Sequence, residues 1–476
     1  MGKESAVSYD QDALRDLSLC EVVRLLDEGA VSAERLTQTA IDAAQSDGHR
    51  LNCILSLEAD AALAQSREID KARSAGHELP RLAGVPMAHK DVFARNGAAV
   101  TCGSPLLRDF RPAGRADALA NLEEAGSITF ASLHLSEFIR SPMGYNPHLG
   151  PCRNPWNPEH VSGGSSSGSA AAVAVGIGYG SLGTDTGGSV RIPASMCGLV
   201  GIKPTHSRIS TRGVTPLSWS LDAVGPIART AADCAMMLDA LKPRFPMADL
   251  PASFPAETIK LNGLRIGVVS AWMDELEESP AACLKEAGRV LASLGAQLSS
   301  VQLQQLDLLD ACQEIVRETE AATVHSRYLR AQPLDYSDEV RWRTEPGFFR
   351  FATEYADILR LRASLLDEFL DHAFAQVDYL LTPTIPAAAP AVLVAYGDDT
   401  DLRKRLVGSL SRYTRVFNFL GLPALTVPCG FDDGGLPVGM QLIGRPFAER
   451  RLLGIAHAYQ NMTEWHLARP QALKSH

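Results

Sequence analysis

The sequence predicts an α/β fold. From Leu82 onward, short apolar runs that end at glycine or proline alternate with helical patches, an alternation typical of sheets covered by helices. Hydrophobic residues make up 46% and charged residues 21% of the 476 residues, which is enough apolar material for a large buried core. The same composition excludes an intrinsically disordered chain.

The first 75 residues are predicted to be helical. Apolar residues recur at helical spacing between Leu14 and Leu26, and Ser32 has the character of an N-cap because Glu34 follows it in the first turn. Residues 59–75 are rich in alanine with interspersed charges, which favours a further helix. We expect residues 1–75 to form a helical segment packed on a single domain of residues 76–465.

The later elements continue the alternation. Helical patterns cover residues 117–125, 281–294, 306–330 and 352–375, and strand patterns cover residues 127–131, 264–269, 379–384, 425–428 and 438–444. Residues 242–262 hold four prolines and no clear periodicity, which predicts a surface connection between two halves.

Charge and cysteine content limit the partners and the compartment. The net charge of −10 disfavours nucleic-acid partners and anionic membrane surfaces, because both require clustered lysine and arginine. No run of about 18 apolar residues exists, and Met1–Ser5 opens with charge rather than with a signal sequence. The nine cysteines lack CxxC spacing, which favours a reducing compartment. We therefore expect a cytoplasmic protein without a nucleic-acid or membrane partner.

Two short motifs in the glycine- and serine-rich residues 162–189 are weak indicators of function. GYGSLG at residues 178–183 matches the dinucleotide-binding pattern GxGxxG, but a helix-like run precedes it and a glycine-rich turn is expected after it. GSSSG at residues 164–168 matches the nucleophile elbow GxSxG with Ser166 at its centre, but the residues before it make a poor strand. Both interpretations are disfavoured.

A longer, ordered set of motifs is more specific. The chain reads GVPMAHKD at residues 84–91, GGSSSGSAA at 163–171, GTDTGGSVRIPA at 183–194, GLVGIKPT at 198–205 and PVGMQLIG at 437–444. This set closely resembles the amidase signature family, from about residue 60 to Gly444. The resemblance implies an amidase signature fold, a mixed central β-sheet flanked by helices on both sides, and makes residues 76–465 one catalytic domain.

Amide cleavage has chemical requirements that these residue types can meet. An amide is a poor electrophile, so its hydrolysis needs an activated nucleophile, an anion hole and a proton for the leaving nitrogen. The sequence has no convincing His–Asp relay, which leaves lysine as the candidate base. A lysine is neutral near pH 7 only where burial lowers its pKa by several units. Lys90 lies in the apolar run of residues 82–93, where such burial is expected.

The resemblance assigns the catalytic roles. Ser189 matches the family nucleophile, Ser165 matches the bridging serine whose peptide bond is cis in the family, and Lys90 matches the base. The oxyanion is implied to be bound by the backbone N–H groups of the loop that ends at the nucleophile: Thr186, Gly187, Gly188 and Ser189. The family uses neither a metal nor an organic cofactor, and HExxH and paired CxxC motifs are absent from the sequence.

The residues that flank this loop are expected to support it. Asp185 precedes the loop and Arg191 follows it, and an ion pair between them would pin its conformation. Ser167 stands where many family members have glycine, a small departure that leaves the catalytic assignments unchanged.

The substrate is less well specified. The resemblance implies a small-molecule amide or carbamate in a cleft shaped by residues 136–146, 210–220 and 333–350. Candidate substrate-binding residues within the first segment are Met143, Gly144 and Tyr145. Many family members dimerise, so a homodimer is a further expectation.

The aromatic residues of these segments bear on the kind of substrate. Trp342, Phe348 and Phe349 lie in or near the third segment and Phe138 in the first. Their presence predicts a partly apolar pocket for an aromatic or alkyl group, while ordinary core or lid packing is an equal alternative.

Two alternative functions are considered. The A subunit of glutamyl-tRNA amidotransferase belongs to the same family and must hold the α-amino and α-carboxylate groups of glutamine, which requires an acidic residue and an arginine. Arg360 or Arg362 could supply the arginine, but residues 409–415 contain no acidic residue where one is expected. A non-catalytic binding protein on the same fold is disfavoured, because all three candidate catalytic residues are present.

Overall fold

The computed structural model describes residues 9–242 and 261–470 of the chain. The expected proline-rich connection over residues 242–262 therefore lies almost entirely outside the described residues, as does Met1–Ser5. The described chain has an α/β fold in which helices flank a mixed β-sheet, as predicted.

The helices lie largely where the periodicity predicts them. The described residues form seventeen α-helices: α1 Gln11–Asp16, α2 Leu19–Asp27, α3 Ala33–Ala43, α4 Ala59–Ser74, α5 Asp117–Glu124, α6 Ser167–Ala174, α7 Arg191–Met196, α8 Ala231–Ala240, α9 Ser270–Met273, α10 Glu278–Ser293, α11 Leu306–Ala331, α12 Asp338–Thr344, α13 Ala352–Ala373, α14 Val392–Ala395, α15 Thr400–Leu410, α16 Arg415–Phe419 and α17 Glu449–Gln460. Side-chain caps fix several starts, and Ser18 and Thr230 each form a full capping box.

The strands are short. The described residues form eleven of them: β1 Ile54–Leu57, β2 Pro86–Lys90, β3 Ile128–Leu133, β4 Ser181–Asp185, β5 Val200–Lys203, β6 Ala223–Ala228, β7 Arg265–Val269, β8 Gln297–Val301, β9 Tyr379–Pro383, β10 Ala424–Phe431 and β11 Pro437–Ile443. All five predicted strands are among them, within a few residues of the expected limits.

The larger sheet has eight strands in the order β4-β6-β5-β10-β11-β9-β7-β8. Neighbouring strands are antiparallel from β4 to β9, whereas β9, β7 and β8 are parallel. Central strands β10 and β11 are buried along nearly their whole length. Burial on both faces explains why their sequences are continuous apolar runs rather than alternating ones.

A smaller sheet has the order β1-β3-β2, with β3 antiparallel to β1 and parallel to β2. Strand β1 lies within residues 1–75, so this segment is not helical throughout. Its sequence, ILSL, is only four residues long and is held by pairing with β3, a long-range contact that local periodicity does not reveal.

The N-terminal helices pack directly on the rest of the molecule. Leu14 and Leu19 are fully buried in the largest apolar cluster. The hydroxyl of Tyr179 donates a hydrogen bond to the carbonyl of Leu14 at 3.0 Å, and the N–H of Cys20 donates to the carboxylate of Asp233 at 2.9 Å. These contacts join α1 and α2 to the elements around β4 and α8.

Strand β4 lies in a stretch that we expected to be a glycine-rich turn. It pairs antiparallel with β6 along all five residues, from Ser181 with Ile227 to Asp185 with Ala223. The strand begins inside GYGSLG, so this motif is followed by a strand and not by the helix that a dinucleotide-binding loop requires.

Two further features of the structure are the state of its cysteines and the length of its apolar helices. All nine cysteines are free, and seven of them are buried. Burial raises the pKa of the thiols of Cys53, Cys197 and Cys234 well above 9. None of the described helices is long and apolar enough to cross a bilayer.

Candidate active site

Lys90 stands at the carboxyl end of β2, a strand that is buried at every position. The side chain of Lys90 is 1% exposed. Its Nζ donates hydrogen bonds to the Oγ of Ser165 at 2.7 Å and to the Oγ1 of Thr184 at 2.9 Å. The strand thus delivers one amine to the two hydroxyl groups that lie beside the glycine-rich loops.

The electrostatic setting of Lys90 favours the neutral amine. Burial lowers the pKa of Lys90 from 10.5 to about 7, although the carboxylates of Asp185 and Asp222 act in the opposite direction. A substantial fraction of the amine is therefore unprotonated at neutral pH, as a general base requires.

Ser165 is held in a tightly packed turn. The Gly164–Ser165 peptide bond is cis, as the family resemblance implies. A Cβ at position 164 would lie 2.3 Å from the backbone nitrogen of Gly144, so only glycine fits there. The carbonyl of Ser165 accepts a hydrogen bond from the N–H of Ser136 at 3.3 Å, which ties the turn to the segment after β3.

Ser189 lies on the loop between β4 and α7. Its backbone carbonyl accepts a hydrogen bond at 3.3 Å from the N–H of Ser166, the residue that follows Ser165. The loops that carry Ser165 and Ser189 are therefore adjacent. Ser189 retains 9% exposure and lines an open cleft, whereas Ser165 is fully buried.

A buried ion pair fixes the loop. The guanidinium of Arg191 binds the carboxylate of Asp185 through two nitrogens at 2.9 and 3.0 Å, with both side chains fully buried. The same carboxylate accepts the backbone N–H groups of Gly188 at 2.8 Å and Val190 at 3.1 Å. Burial alone would raise the pKa of Asp185, but Arg191 and the amide of Asn418 hold it well below 3.8.

These contacts correct the expected set of oxyanion donors. The N–H of Gly188 is used by Asp185, so this donor does not face the cleft. The N–H groups of Thr186, Gly187 and Ser189 make no hydrogen bond to any described residue. Three of the four expected donors are thus available, and the fourth holds the loop in place.

A second carboxylate supports the start of the loop. Asp222 accepts a hydrogen bond from the hydroxyl of Thr186 at 2.5 Å and from the N–H groups of Leu217 and Ser218 at 2.9 and 3.0 Å. Burial raises the pKa of Asp222 from 3.8 to about 6, with the bond to Thr186 opposing the shift. Asp222 was not singled out in the sequence, because its role depends on chain segments far apart in order.

The cleft in front of Ser189, here called the Ser189 cleft, is open to solvent and has a cavity volume of about 30 Å³. Residues from six parts of the chain line it: Ile139, Arg140, Ser141, Pro142, Thr186, Gly187, Ser189, Ile192, Leu217, Gln313, Arg317, Arg343, Ser411 and Arg415. All three segments expected to shape it, residues 136–146, 210–220 and 333–350, contribute to this lining.

The candidate substrate-binding residues lie outside this lining, which is a correction. Met143 is 1% exposed and belongs to an apolar cluster, and the ring of Tyr145 packs against Tyr396 at 4.8 Å and Arg403 at 4.7 Å. Gly144 has a positive φ of 74° at the turn where the chain leaves the cleft. The cleft is lined instead by the four residues that precede this turn.

The Ser189 cleft is partly apolar through Ile139, Ile192 and Leu217, but the exposed aromatic residues near the third segment do not contribute to its lining. Phe349 is 83% exposed and Phe351 75% exposed, so these rings line no pocket. The aromatic residues of the expected segments predicted an apolar lining, whereas the arginines beside them were not predicted to line the cleft. Arg140 and Arg343 lie in those same segments, so the only available signal was their charge.

The rival interpretations of the glycine- and serine-rich stretch find no support in the geometry. Ser166 is fully buried, and its hydroxyl points to the carbonyl of Thr184 at 3.5 Å. His89 accepts the N–H of Leu182 at 3.0 Å, and burial lowers its pKa from 6.5 to about 3. Neither side chain lies in the lining of the Ser189 cleft.

The α/β fold brings a buried lysine to one serine, and a second serine lies nearby on a glycine-rich loop. These are the features of a serine hydrolase. A family model for amidases matches residues 35–453 of the chain. The A subunit of glutamyl-tRNA(Gln) amidotransferase from Moorella thermoacetica is 37% identical over 485 residues, which cover 96% of this chain and 98% of that relative. The chain belongs to the amidase signature family, whose members hydrolyse amides.

Solved structures agree with this assignment. The crystal structure of an amidase superposes with a TM-score of 0.83 and 30% sequence identity, covering 94% of this chain and 100% of the other. A structure from a vestigial protein complex related to the origins of an s-triazine catabolic enzyme superposes with a TM-score of 0.84 and 29% identity, covering 95% and 100%.

Proposed function

We propose that this protein hydrolyses a linear amide-type C–N bond through an acyl-enzyme on Ser189. The observation that carries the proposal is the 2.7 Å hydrogen bond between the Nζ of Lys90 and the Oγ of Ser165, made by a buried amine with a pKa of about 7. A neutral lysine next to a serine is a base for that serine. Ser165 in turn lies on the loop adjacent to Ser189.

In the first half of the reaction, Lys90 takes a proton from Ser165, and Ser165 takes one from Ser189. The Oγ of Ser189 attacks the carbonyl carbon, and the negative charge on oxygen is stabilised by the N–H groups of Thr186, Gly187 and Ser189. The C–N bond then breaks as Ser165 returns a proton to the leaving nitrogen. The products at this point are a free amine or ammonia and an ester on Ser189.

In the second half, water replaces the leaving amine. The same relay removes a proton from the water, whose oxygen attacks the ester carbon, and the Oγ of Ser189 leaves with a proton. A carboxylic acid is released, or a monoester of carbonic acid where the substrate is a carbamate. No step calls for a metal or an organic cofactor.

A second candidate is the glutaminase reaction of an amidotransferase A subunit, favoured by the 37% identity to the Moorella thermoacetica relative. The cleft argues against this reaction. Residues 409–415 contribute Ser411 and Arg415 to its lining, and neither side chain can pair with the ammonium of glutamine. Arg362, which with Arg360 was one of two arginines that could hold the carboxylate, donates instead to the backbone carbonyls of Ser220 and Asn418 at 2.8 and 3.2 Å.

Steady-state hydrolysis of benzamide, an anilide, a long-chain amide, an aryl carbamate, biuret and glutamine tests both candidates. We expect turnover of at least one non-glutamine substrate, and a loss of at least about 1,000-fold in Ser189→Ala. Ser166→Ala is the matched control, since Ser166 is an adjacent buried serine outside the cleft lining. Turnover of glutamine alone would favour the amidotransferase reaction. Turnover that survives in Ser189→Ala and is lost in Ser166→Ala would refute the proposal.

A further inference from the structure

Four arginines line the Ser189 cleft, and they come from separate parts of the chain. Arg140 lies after β3, Arg317 in α11, Arg343 in α12 and Arg415 at the start of α16. None of the fourteen described lining residues is acidic. Guanidinium groups repel one another, so their convergence on one small cleft requires negative charge close by.

Carboxylates outside the lining supply most of that charge. Three of the arginines have an acidic partner: Arg317 with Glu314 at 3.3 Å, Arg343 with Glu339 at 3.5 Å, and Arg415 with Asp310 in a close ion pair. A further nearby acid, Glu318, is paired with Arg350 at 2.9 Å. One guanidinium of the cleft forms no ion pair within 4 Å in the described parts of the chain.

Arg140 is that remaining cation. Its side chain is 2% exposed, and its Nη2 donates to the backbone carbonyl of Arg343. Its Nε and Nη1 have no hydrogen-bond partner within the described parts of the chain. Burial, together with the charges of Arg317 and Arg343, lowers the pKa of Arg140 well below 12.5, and Glu318 and Glu339 only partly offset this.

A buried guanidinium with unfilled hydrogen-bond positions is costly unless an anion completes it. The planar fork of arginine matches the two oxygens of a carboxylate. We propose that the substrate carries a carboxylate, which Arg140 binds while the scissile amide lies at Ser189. This inference rests on the proposed function and specifies its substrate class.

The charge and the size of the Ser189 cleft restrict the class of substrate further. A free α-amino acid would place an ammonium group among four guanidinium groups, so the anion belongs to a substrate without a neighbouring positive charge. A cleft with a cavity volume of only about 30 Å³ admits only a short molecule. The substrates that fit are short linear amides with an acid at the other end, such as monoamides of dicarboxylic acids.

The test compares amides that differ only at the carboxylate. Malonamate and succinamate carry it, whereas isovaleramide and isocaproamide carry an isopropyl group of the same shape. Each is titrated calorimetrically against the Ser189→Ala protein, and each is assayed for ammonia release by the unmodified enzyme. We expect at least one of the acids to bind about 100-fold more tightly than its neutral isostere, and to be turned over with the same preference.

Variants of Arg140 show whether this residue provides the preference. Arg140→Met removes the charge at similar length, and we expect it to reduce the preference to about threefold or less, with little change for the neutral amides. Arg140→Lys keeps the charge without the fork and should give an intermediate preference, which preserves the test if the methionine variant does not fold. Arg341→Met is the matched control, because Arg341 lies on the same helix as Arg343 but pairs with Glu345 at 3.1 Å outside the cleft.

Several results would overturn the inference: neutral amides that bind as tightly as the acids, no binding of either acid at millimolar concentration, or a preference that Arg140→Met and Arg140→Lys leave unchanged. Failure of the proposed function gives a different result. In that case amide hydrolysis would survive Ser189→Ala, while the preference for acids would still be measurable by titration.

Discussion

Burial of a single amine sets the pH range in which this site can act. The pKa of Lys90 is lowered to about 7, and only the neutral amine can accept a proton from Ser165. Because protonated lysine predominates below that value, we expect kcat/KM to rise about tenfold per pH unit below pH 7 and to level off above it. Steady-state rates across this range measure the midpoint, and Lys90→Met should be inactive throughout.

Lys203 provides the control for this pH profile. It is a second buried lysine whose pKa burial lowers to about 7, but its Nζ donates to the carbonyl of Pro204 at 2.8 Å rather than to a serine. Lys203→Met should leave the midpoint of the activity profile where it was. A midpoint that moves with Lys203 and not with Lys90 would mean that the wrong lysine has been assigned as the base.

At the level of residues, the sequence singled out the lysine and the two serines that the structure brings to adjacent segments, but not the arginines around them. Lys90, Ser165 and Ser189 are recognisable because they lie inside long, ordered motifs. Arg140 and Arg317 lie outside any motif, and they meet only because β3 and α11 fold against the same cleft. Their partners are distant in the chain, so no local pattern could reveal which charges remain unpaired.

Gly188 shows how closely the loop between β4 and α7 is packed. It has a φ of 126°, and a Cβ at this position would lie 2.3 Å from the Oγ1 of Thr414. We expect Gly188→Ala to displace the loop and to lower kcat/KM by about 100-fold or more, because small displacements of reacting groups are costly. Gly408→Ala in α15 is the control, since a Cβ at that position would meet no atom within 4 Å. Equal losses in both variants would contradict this explanation.

Asp185 gives the same loop its stability. Asp185→Asn leaves the fully buried guanidinium of Arg191 without its counter-ion, and we expect this to cost about 3–5 kcal/mol in the free energy of unfolding. The pKa of Asp185 is held below its unfolded value, so its contribution is complete above about pH 4 and is lost as the pH falls further. Urea unfolding at pH 7 therefore measures the whole effect.

An exposed ion pair supplies the comparison for Asp185. Glu286 and Arg289 lie 2.9 Å apart one turn along α10, and both are more than half exposed. Glu286→Gln should change the free energy of unfolding by less than about 1 kcal/mol. If Asp185→Asn also changed the free energy of unfolding by less than about 1 kcal/mol, the buried pair would not hold the loop.

Among the elements, periodicity located the long helices and the apolar strands but not β1 or β4. Helices such as α11 and α13 span enough turns to show a repeating pattern. Strand β4 reads SLGTD, and its glycine and polar residues resemble a turn until pairing with β6 is known. β-propensity depends strongly on the neighbouring strands, which explains why such segments escape local analysis.

For the whole molecule, packing of the N-terminal helices predicts that they unfold together with the rest of the described chain. Leu19 is fully buried in the largest apolar cluster, so Leu19→Ala should cost about 2–5 kcal/mol. All five tryptophans lie after residue 155, so their fluorescence reports only on the rest of the chain. We expect Leu19→Ala to lower the urea midpoint of this tryptophan signal.

Leu308→Ala is the control, because Leu308 is 49% exposed and its loss should change stability by less than about 0.5 kcal/mol. An unchanged tryptophan transition in Leu19→Ala would instead indicate that the N-terminal helices form an independent unit.

The nine free cysteines allow local opening of the fold to be measured by alkylation. Seven are buried, and burial raises the pKa of thiols such as Cys197 and Cys429, so the native protein presents few reactive thiolates. An alkylating reagent should therefore modify Cys283 first and reach the others only when their surroundings open, Cys20 included, because burial and Asp233 raise the pKa of its thiol. The order in which mass spectrometry finds these sites labelled would rank the regions of the fold by how readily they open.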